Sequence, residues 1–350
     1  MRWNDVYLHA SAVWLGDPVT VTEAVAMNRY DPDEARTDGF CAVRTAEHTA
    51  PAEMAVYAGM LALDRARVPV DDFCLLLHAS GSYQGLDHWW PASYIQHHTV
   101  GGTASALDIQ QACNGGISAL ALAAGYLSAD RSDSAALITT ADRYILPDFD
   151  RYRADRGQPR GDGATGLVLS RRKGGVARLV STVLAGDATY EGLQRGDLAW
   201  AACRGTHGRP TDLRARAKQY LAGSGGSVPE IVARLGSGQQ ATIRRALGEA
   251  EITADDVAWF VFPHSGYAIV DWQFRRREFG IAEERTTWPW GRWVGHLGAG
   301  DQAAGLTHLL ESGKARPGDR VALVGTGSGY SFGCAVLEIL RSPQWSASTS

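Results

Sequence analysis

A cysteine, a histidine and an aspartate, Cys113, His296 and Asp301, are the side chains of this sequence whose types and surroundings could do chemistry together. A thiol is a nucleophile once its proton is gone. An imidazole can take that proton, and a carboxylate can hold the imidazole in the useful tautomer and stabilise its charged form. That set is suited to acyl transfer through a covalent thioester. Cys113 sits in ALDIQQACNGGISALALAAGYLS, residues 106–128, after a short strand signal (Leu107, Ile109) and before a helix of small and apolar residues. Ile117, Leu120, Ala121, Ala124 and Leu127 recur at three- and four-residue spacing, which predicts a helix buried inside the protein. The apolar run is short for a bilayer span of roughly 20 residues. A thiol at the start of such a helix faces unpaired N–H groups and the positive end of the dipole, which favour its thiolate. Taken alone, Cys113 is equally well read as an inert core residue, His296 as a satisfied histidine and Asp301 as a helix cap.

An internal duplication brings them together. ALDRARVPVDD, beginning at Ala62, is answered 184 residues later by ALGEAEITADD, beginning at Ala246. Each is followed by an apolar strand signal and a His-containing loop, His78-Ala79-Ser80-Gly81 and Pro263-His264-Ser265-Gly266. RSDSAALITT from Arg131 is likewise answered by RPGDRVALVG from Arg316. The order helix, Asp-Asp, strand, loop, central helix, strand is therefore kept, which predicts two similar α/β halves, 1–175 and 176–350. The same offset carries Cys113 to position 297, within Gly295-His296-Leu297-Gly298-Ala299-Gly300-Asp301. Two helix starts related by pseudo-symmetry can share one pocket, so Cys113 is expected to meet His296, with Asp301 behind it.

The remaining elements follow from periodicity. Strands are expected at 5–15, 73–77, 134–140, 166–170, 176–184, 259–262, 321–324 and 334–340, and helices at 51–67, 231–250, 271–279 and 303–310. A helix begins within 19–27, and 211–221 is amphipathic. Residues 36–48 read as irregular, 147–162 as an exposed polar loop, and the Ser-rich 342–350 as a frayed tail. With 45% hydrophobic and 21% charged residues the chain has the composition of a soluble globular protein. Its net charge of −4 argues against a general nucleic-acid binder. Five scattered cysteines without a CxxC pair suggest no disulfide framework and no zinc site, and point to a reducing cytoplasm. The N-terminal MRWNDVYLHA lacks the apolar core of a signal peptide.

The motifs resemble the thiolase superfamily, and within it the β-ketoacyl-acyl carrier protein synthase III group, over most of the chain. Asp108-Ile109-Gln110-Gln111-Ala112-Cys113-Asn114-Gly115-Gly116 is similar to the nucleophile motif. Gly161-Asp162-Gly163-Ala164-Thr165-Gly166 resembles the glycine turn before a core strand. Pro263-His264-Ser265 stands at the family histidine, and Gly325-Thr326-Gly327-Ser328-Gly329 resembles the C-terminal glycine loop. The resemblance implies a five-layered αβαβα fold, a homodimer, and an acyl thioester donor on coenzyme A or an acyl carrier protein. It departs in one place: condensing members carry Gly-Asn where this chain has Gly295-His296. Gly-His-Leu-Gly-Ala-Gly-Asp is similar to a branch of natural-product pathways whose members move acyl groups to a hydroxyl or amine. On that likeness Cys113, His296 and Asp301 form the triad, and His264 is an auxiliary group. The segment 31–39 lacks the tryptophan with which coenzyme A-using members stack adenine, which tilts the donor toward a carrier protein.

Three further groups stand out. GTGSGYSFG, residues 325–333, fails the GxGxxG spacing and precedes a strand signal, so it reads as a glycine turn rather than a nucleotide cradle. Its Gly329 N–H, with that of Cys113, is the expected oxyanion hole. Trp89 and Trp90, in an aromatic loop with His88, His97 and His98, are expected to shape the substrate pocket or an interface; the loop lacks a metal-ligand pattern. Arg275, Arg276 and Arg277 on a helix, with Arg292, either form a solvated face or meet an acidic carrier. The leading expectation is an acyltransferase that needs neither cofactor nor metal and acts on a small-molecule acceptor such as a sugar or cyclitol, with no nucleic-acid or membrane partner. The alternative is a decarboxylating condensing enzyme using Cys113, His264 and His296; a non-catalytic partner subunit is the third reading, disfavoured by the retained Cys113.

Overall fold

The structure, a computed structural model, describes residues 1–129, 134–203, 205–224 and 227–345. The last five residues of the Ser-rich tail and residues 131–133 of the second repeat match lie outside the described residues. Eleven strands are present among those described: β1 (Tyr7–Leu15), β2 (Asp17–Thr20), β3 (Ala42–Thr45), β4 (Phe73–Ala79), β5 (Ser105–Ile109), β6 (Ala135–Asp142), β7 (Gly163–Ser170), β8 (Ala177–Gly186), β9 (Val257–Val261), β10 (Arg320–Gly327) and β11 (Ser331–Ile339). Nine form one sheet in the order β5-β4-β6-β7-β1-β8-β11-β10-β9, and β2 pairs with β3 separately.

Each side of that sheet repeats one plan. β4 and β6 run parallel, β7 returns antiparallel to β6, and β1 pairs with β7. On the other side β9 and β10 run parallel, β11 returns antiparallel to β10, and β8 pairs with β11. The strands of residues 1–175 and 176–350 thus lie on opposite sides of the β1–β8 junction. At that junction Tyr7 pairs with Arg178 and Leu8 with Ala177, and an antiparallel bridge joins Arg2 to Ser181. The two leaves enclose a shared pair of helices.

The helices Gly115–Ala129 and Asp301–Glu311 fill that space. Their small residues let both leaves approach: Ile117, Leu120, Ala123, Ala303 and Leu306 pack in one cluster with β4, β6, β7, β8, β10 and β11. A second cluster lies under Pro51–Ala66 on the outer face of the first leaf. A third lies under Val228–Glu249 on the outer face of the other leaf. The layers therefore alternate helix, sheet, helix, sheet, helix, and the fold is α/β and thiolase-like. The outer helices start where the sequence marks them. Ser227 caps Glu230 in a reciprocal box, and Pro51 occupies the first turn of its helix. The segment Ala112–Ala129 is long and apolar enough to cross a membrane by composition alone, but it is mostly buried between the leaves. Leu122 and Tyr126 on it reach the surface.

Four expectations need correction. Residues 36–48 are not irregular: Pro32–Asp38 is a helix that Asp31 caps and Gly39 ends in a left-handed turn, and β3 follows. The aromatic loop contains the helix Pro91–His98. The glycine-rich 325–333 is mostly strand, since β10 runs to Gly327 and β11 begins at Ser331. Residues 147–162 are not an exposed loop, because Tyr152, Ala154, Arg160 and Asp162 are all buried. Charges of both signs read as a solvated face in the sequence, yet here they pair with each other: Arg151 makes two bonds to Asp162, at 3.0 and 2.8 Å.

Candidate active site

Cys113 lies in the short turn Ala112–Asn114 that leads into the helix Gly115–Ala129. The residue before it, Ala112, has φ +46°, a left-handed conformation that a residue with a side chain adopts only under constraint. Part of that constraint is Gly327 at the end of β10. A Cβ there would stand 2.7 Å from the Gln111 carbonyl oxygen and 2.9 Å from the Asn114 nitrogen, so only glycine allows the strand to press on the nucleophile turn.

The matching turn, Gly298–Gly300, leads into Asp301–Glu311. The two helices begin at Gly115 and Asp301, 186 residues apart, so the structural counterpart of Cys113 is Ala299 rather than residue 297. His296 belongs to the segment just before that turn. Its backbone pairs with residues 159–161: His296 N–H donates to the Pro159 carbonyl and Gly161 N–H to the His296 carbonyl, both at 2.9 Å. The turn is fastened across the halves by Asp142 at the end of β6. Its carboxylate accepts from the Gly81, Ser82 and Ala299 N–H groups at 2.7, 2.6 and 2.9 Å.

The side chains converge as a relay. His296 Nε2 is 2.8 Å from Cys113 Sγ, and its Nδ1 bonds Asp301 Oδ2. Asp301 also accepts the Leu297 N–H at 2.8 Å on Oδ1 and the His264 N–H at 2.7 Å on Oδ2. Asp301 opens its helix, so its side chain turns back toward the preceding segment. His296 and Asp301 have no exposed surface and Cys113 has little. Burial pushes the thiol's pKa up, but the facing His296 imidazolium, its hydrogen bond and Arg160 outweigh this and leave it below the ordinary thiol value. Burial lowers His296, while the charges of Asp301 and Cys113 raise it to about 9. Burial likewise raises Asp301, and the two histidines pull it down to about 2. The resting pair is a thiolate accepting a hydrogen bond from an imidazolium.

His264 stands on the far side of Asp301. Its Nδ1 is 2.8 Å from the Gly295 carbonyl oxygen and 3.2 Å from Asp301 Oδ1. Its other edge lies against Gly291, where a Cβ would come within 2.4 Å of the ring. The cavity at Cys113, about 280 Å³, is lined by Gly81, Tyr83, Tyr144, Phe149, Arg160 and Ser328 among others, and His264 is not on its wall. Gly329 does not present its N–H to the thiol: that group donates to Gln194 Oε1 at 2.7 Å. Trp89 and Trp90 line a separate cavity of about 930 Å³, which shares Ser82 and Tyr83 with the first. Arg275 is no free surface cation, since it lies over the Phe262 and Trp272 rings. Among the described residues no cluster of His, Cys, Asp and Glu could hold a metal ion.

One residue of the site was not singled out from the sequence. Arg160 Nη1 lies 3.8 Å from Cys113 Sγ and Nη2 bonds Asp155 at 2.6 Å. The guanidinium lies over Tyr144 and Phe149. The only sequence signal for it is its place directly before the glycine turn that begins at Gly161.

Comparison with known proteins agrees with this architecture. Residues 107–188 match the model of the 3-oxoacyl-[acyl-carrier-protein] synthase III family, and 247–339 match that of its C-terminal region, together half the chain. Among solved structures, ChlB3, described as an acyltransferase, superposes with a TM-score of 0.90 at 32% identity, over 98% of this chain and 100% of that one. The FabH structure from Pseudomonas aeruginosa has the same fold, with a TM-score of 0.77 at 20% identity over 97% of this chain and 99% of that one. Acetoacetyl CoA synthase NphT7 of a Streptomyces species is 28% identical over 84% of this chain and 85% of its own. A 3-oxopimeloyl-[acyl-carrier-protein] synthase of Rhodothermus marinus is also 28% identical, over 80% and 77%. With a cysteine at the start of one central helix and two family-model matches spanning both halves, the chain belongs to the 3-oxoacyl-[acyl-carrier-protein] synthase III family of the thiolase superfamily.

Proposed function

We propose that this enzyme transfers an acyl group from a thioester, through a Cys113 acyl-enzyme, to a hydroxyl or amine. The observation that carries the reading is His296 Nε2 2.8 Å from Cys113 Sγ with Asp301 bonded to the opposite ring nitrogen. In the first half-reaction the Cys113 thiolate attacks the thioester carbonyl. A carbon–sulfur bond forms to Cys113, the donor carbon–sulfur bond breaks, and the departing thiolate takes the His296 Nε2 proton. Acylation removes the thiolate charge that helped raise the His296 pKa. The imidazole is then neutral and can accept the proton of an acceptor hydroxyl or amine as that group attacks the acyl-enzyme carbonyl. Cys113 leaves as thiolate and the ion pair is restored. Asp301 stays ionised throughout and orients the ring.

The donor of this reading is a carrier protein or coenzyme A thioester, and the acceptor a sugar, cyclitol or similar natural-product intermediate. The reading carries with it a cytoplasmic homodimer. Intact-mass measurement after incubation with an acyl thioester should show one acyl adduct, absent in Cys113→Ala; an adduct that survives that change overturns the assignment. Decarboxylative condensation is the second reading, favoured by relatives described as synthases at 25–28% identity. His264 behind Asp301, outside the Cys113 cavity, weighs against a pair of imidazoles acting together on a malonyl group. Carbon dioxide release from a malonyl thioester with a β-keto product would establish condensation instead.

A further inference from the structure

Arg160 is the charged side chain that the proposed acyl transfer leaves without a task. It is 6% exposed, and its Nε has no hydrogen-bond partner. The segment that carries it is held by the backbone pairing of residues 159–161 with His296, and the guanidinium by the bond from Nη2 to Asp155. Tyr144 and Phe149 lie under it and fix its plane. In the resting enzyme Nη1 is within hydrogen-bond reach of the sulfur. Once Cys113 is acylated the sulfur is a neutral thioester and a poor acceptor. Nη1 has then lost its partner beside the already unpartnered Nε, in a buried position where an unpaired donor is costly.

Resting on the acyl-enzyme reading, we propose that Arg160 selects the acyl group: the enzyme takes acyl chains bearing a neutral hydrogen-bond-accepting oxygen a few bonds beyond the thioester carbonyl, in preference to plain alkanoyl chains. Charge defines the class. The Arg160 charge is already met by Asp155, bonded to it at 2.6 Å, while Asp148 on the wall is paired with Arg209. With the Arg160 charge met, a hydroxyl or ketone oxygen satisfies the vacated donors, whereas a carboxylate adds a second negative charge beside the Arg160–Asp155 pair. A plain alkanoyl chain leaves the donors unpaired, so the site discriminates against it in the way a hydrogen-bonding pocket rejects a substrate lacking the matching group.

The test is the rate of acyl-enzyme formation, followed by intact mass without any acceptor, from N-acetylcysteamine thioesters of 3-hydroxybutyrate, butyrate and malonate. The wild type is expected to load 3-hydroxybutyryl about tenfold faster than butyryl, the factor one hydrogen bond to a charged donor contributes, with malonyl behind both. Arg160→Met should load all three more slowly, because the thiolate loses a neighbouring cation, but with the 3-hydroxybutyryl-to-butyryl ratio brought near one. Arg160→Lys should restore part of the ratio. Butyryl loading by Arg160→Met serves as the control that the variant is folded. An unchanged ratio in Arg160→Met, no preference in the wild type, or malonyl loading fastest would each overturn the selection. Absence of any adduct from all three thioesters in the wild type would instead count against the acyl-enzyme reading on which it rests.

Discussion

Cys113 Sγ and His296 Nε2 lie 2.8 Å apart although 183 positions separate the two residues in the chain. Cys113 comes from the turn that leads into one central helix and His296 from the segment ahead of the turn that leads into the other, so the contact exists only when both leaves of the sheet close on the same helix pair. The ion pair they form is buried, where each charge depends on the other.

That dependence sets a pH signature. Against burial, the facing His296 and Arg160 charges hold the thiol below its ordinary value and His296 is raised to about 9, and both shifts favour the thiolate–imidazolium pair. Iodoacetamide labelling of Cys113 should therefore continue in the wild type well below the ordinary thiol range. In His296→Asn the partner cation is gone while burial remains, and the labelling profile should move upward in pH. Superimposable profiles for the two proteins would contradict an ion-paired thiolate.

Replacing Asp301 by Asn removes the charge that opposes burial of the His296 imidazolium. It also leaves one carbonyl oxygen where two carboxylate oxygens accepted the Leu297 and His264 N–H groups, so one of the two faces an amide N–H₂. Acyl transfer should fall by about a thousandfold, with retention of the Cys113 adduct at substoichiometric level. Steady-state transfer rates alongside adduct yield would check this.

Asp301 also predicts an acid-stability difference. Against burial, its carboxyl is held at about 2, below the ordinary aspartate value, by the charges of the two histidines. A group whose folded pKa is depressed stabilises the fold above its unfolded pKa, and that contribution declines as pH falls from about 4 toward 2. The difference in unfolding free energy between wild type and Asp301→Asn should be widest at neutral pH, on the order of 2 kcal/mol, and narrow on acidification. Calorimetry across that pH range measures it.

Asp142→Ala should leave the Gly81, Ser82 and buried Ala299 N–H groups without their acceptor. The expected cost is about 3 kcal/mol or more, with loss of transfer activity, since the carboxylate ties the His296 turn to the first leaf. Denaturant unfolding gives the stability loss. Gly327→Ala is the counterpart on the nucleophile side. Its new methyl would collide with backbone at Gln111 and Asn114, so activity should fall more than Tm.

The two halves were legible because duplication leaves its order in the chain: helix, Asp-Asp, strand, loop, central helix. Cys113, His296 and Asp301 were legible for the same reason, since a repeat tells which positions can share one cavity before any contact is seen. Local periodicity could not place Arg160. A stretch with balanced charges and no apolar period looks solvated, and only the pairing of Arg151 with Asp162 and of residues 159–161 with His296 shows that it is inside.

By itself, then, the sequence determined most of the elements, how they repeat and which three side chains could react, because these are set by composition and order along one chain. The tertiary structure alone decided the directions of the side chains. His264 turns behind Asp301 instead of toward the thiol, the Gly329 N–H goes to Gln194, Trp89 and Trp90 line a neighbouring cavity, and Arg160 reaches the sulfur. Each of these depends on how one leaf of the sheet packs across the other. That geometry arises between residues far apart in the chain, where no local pattern records it.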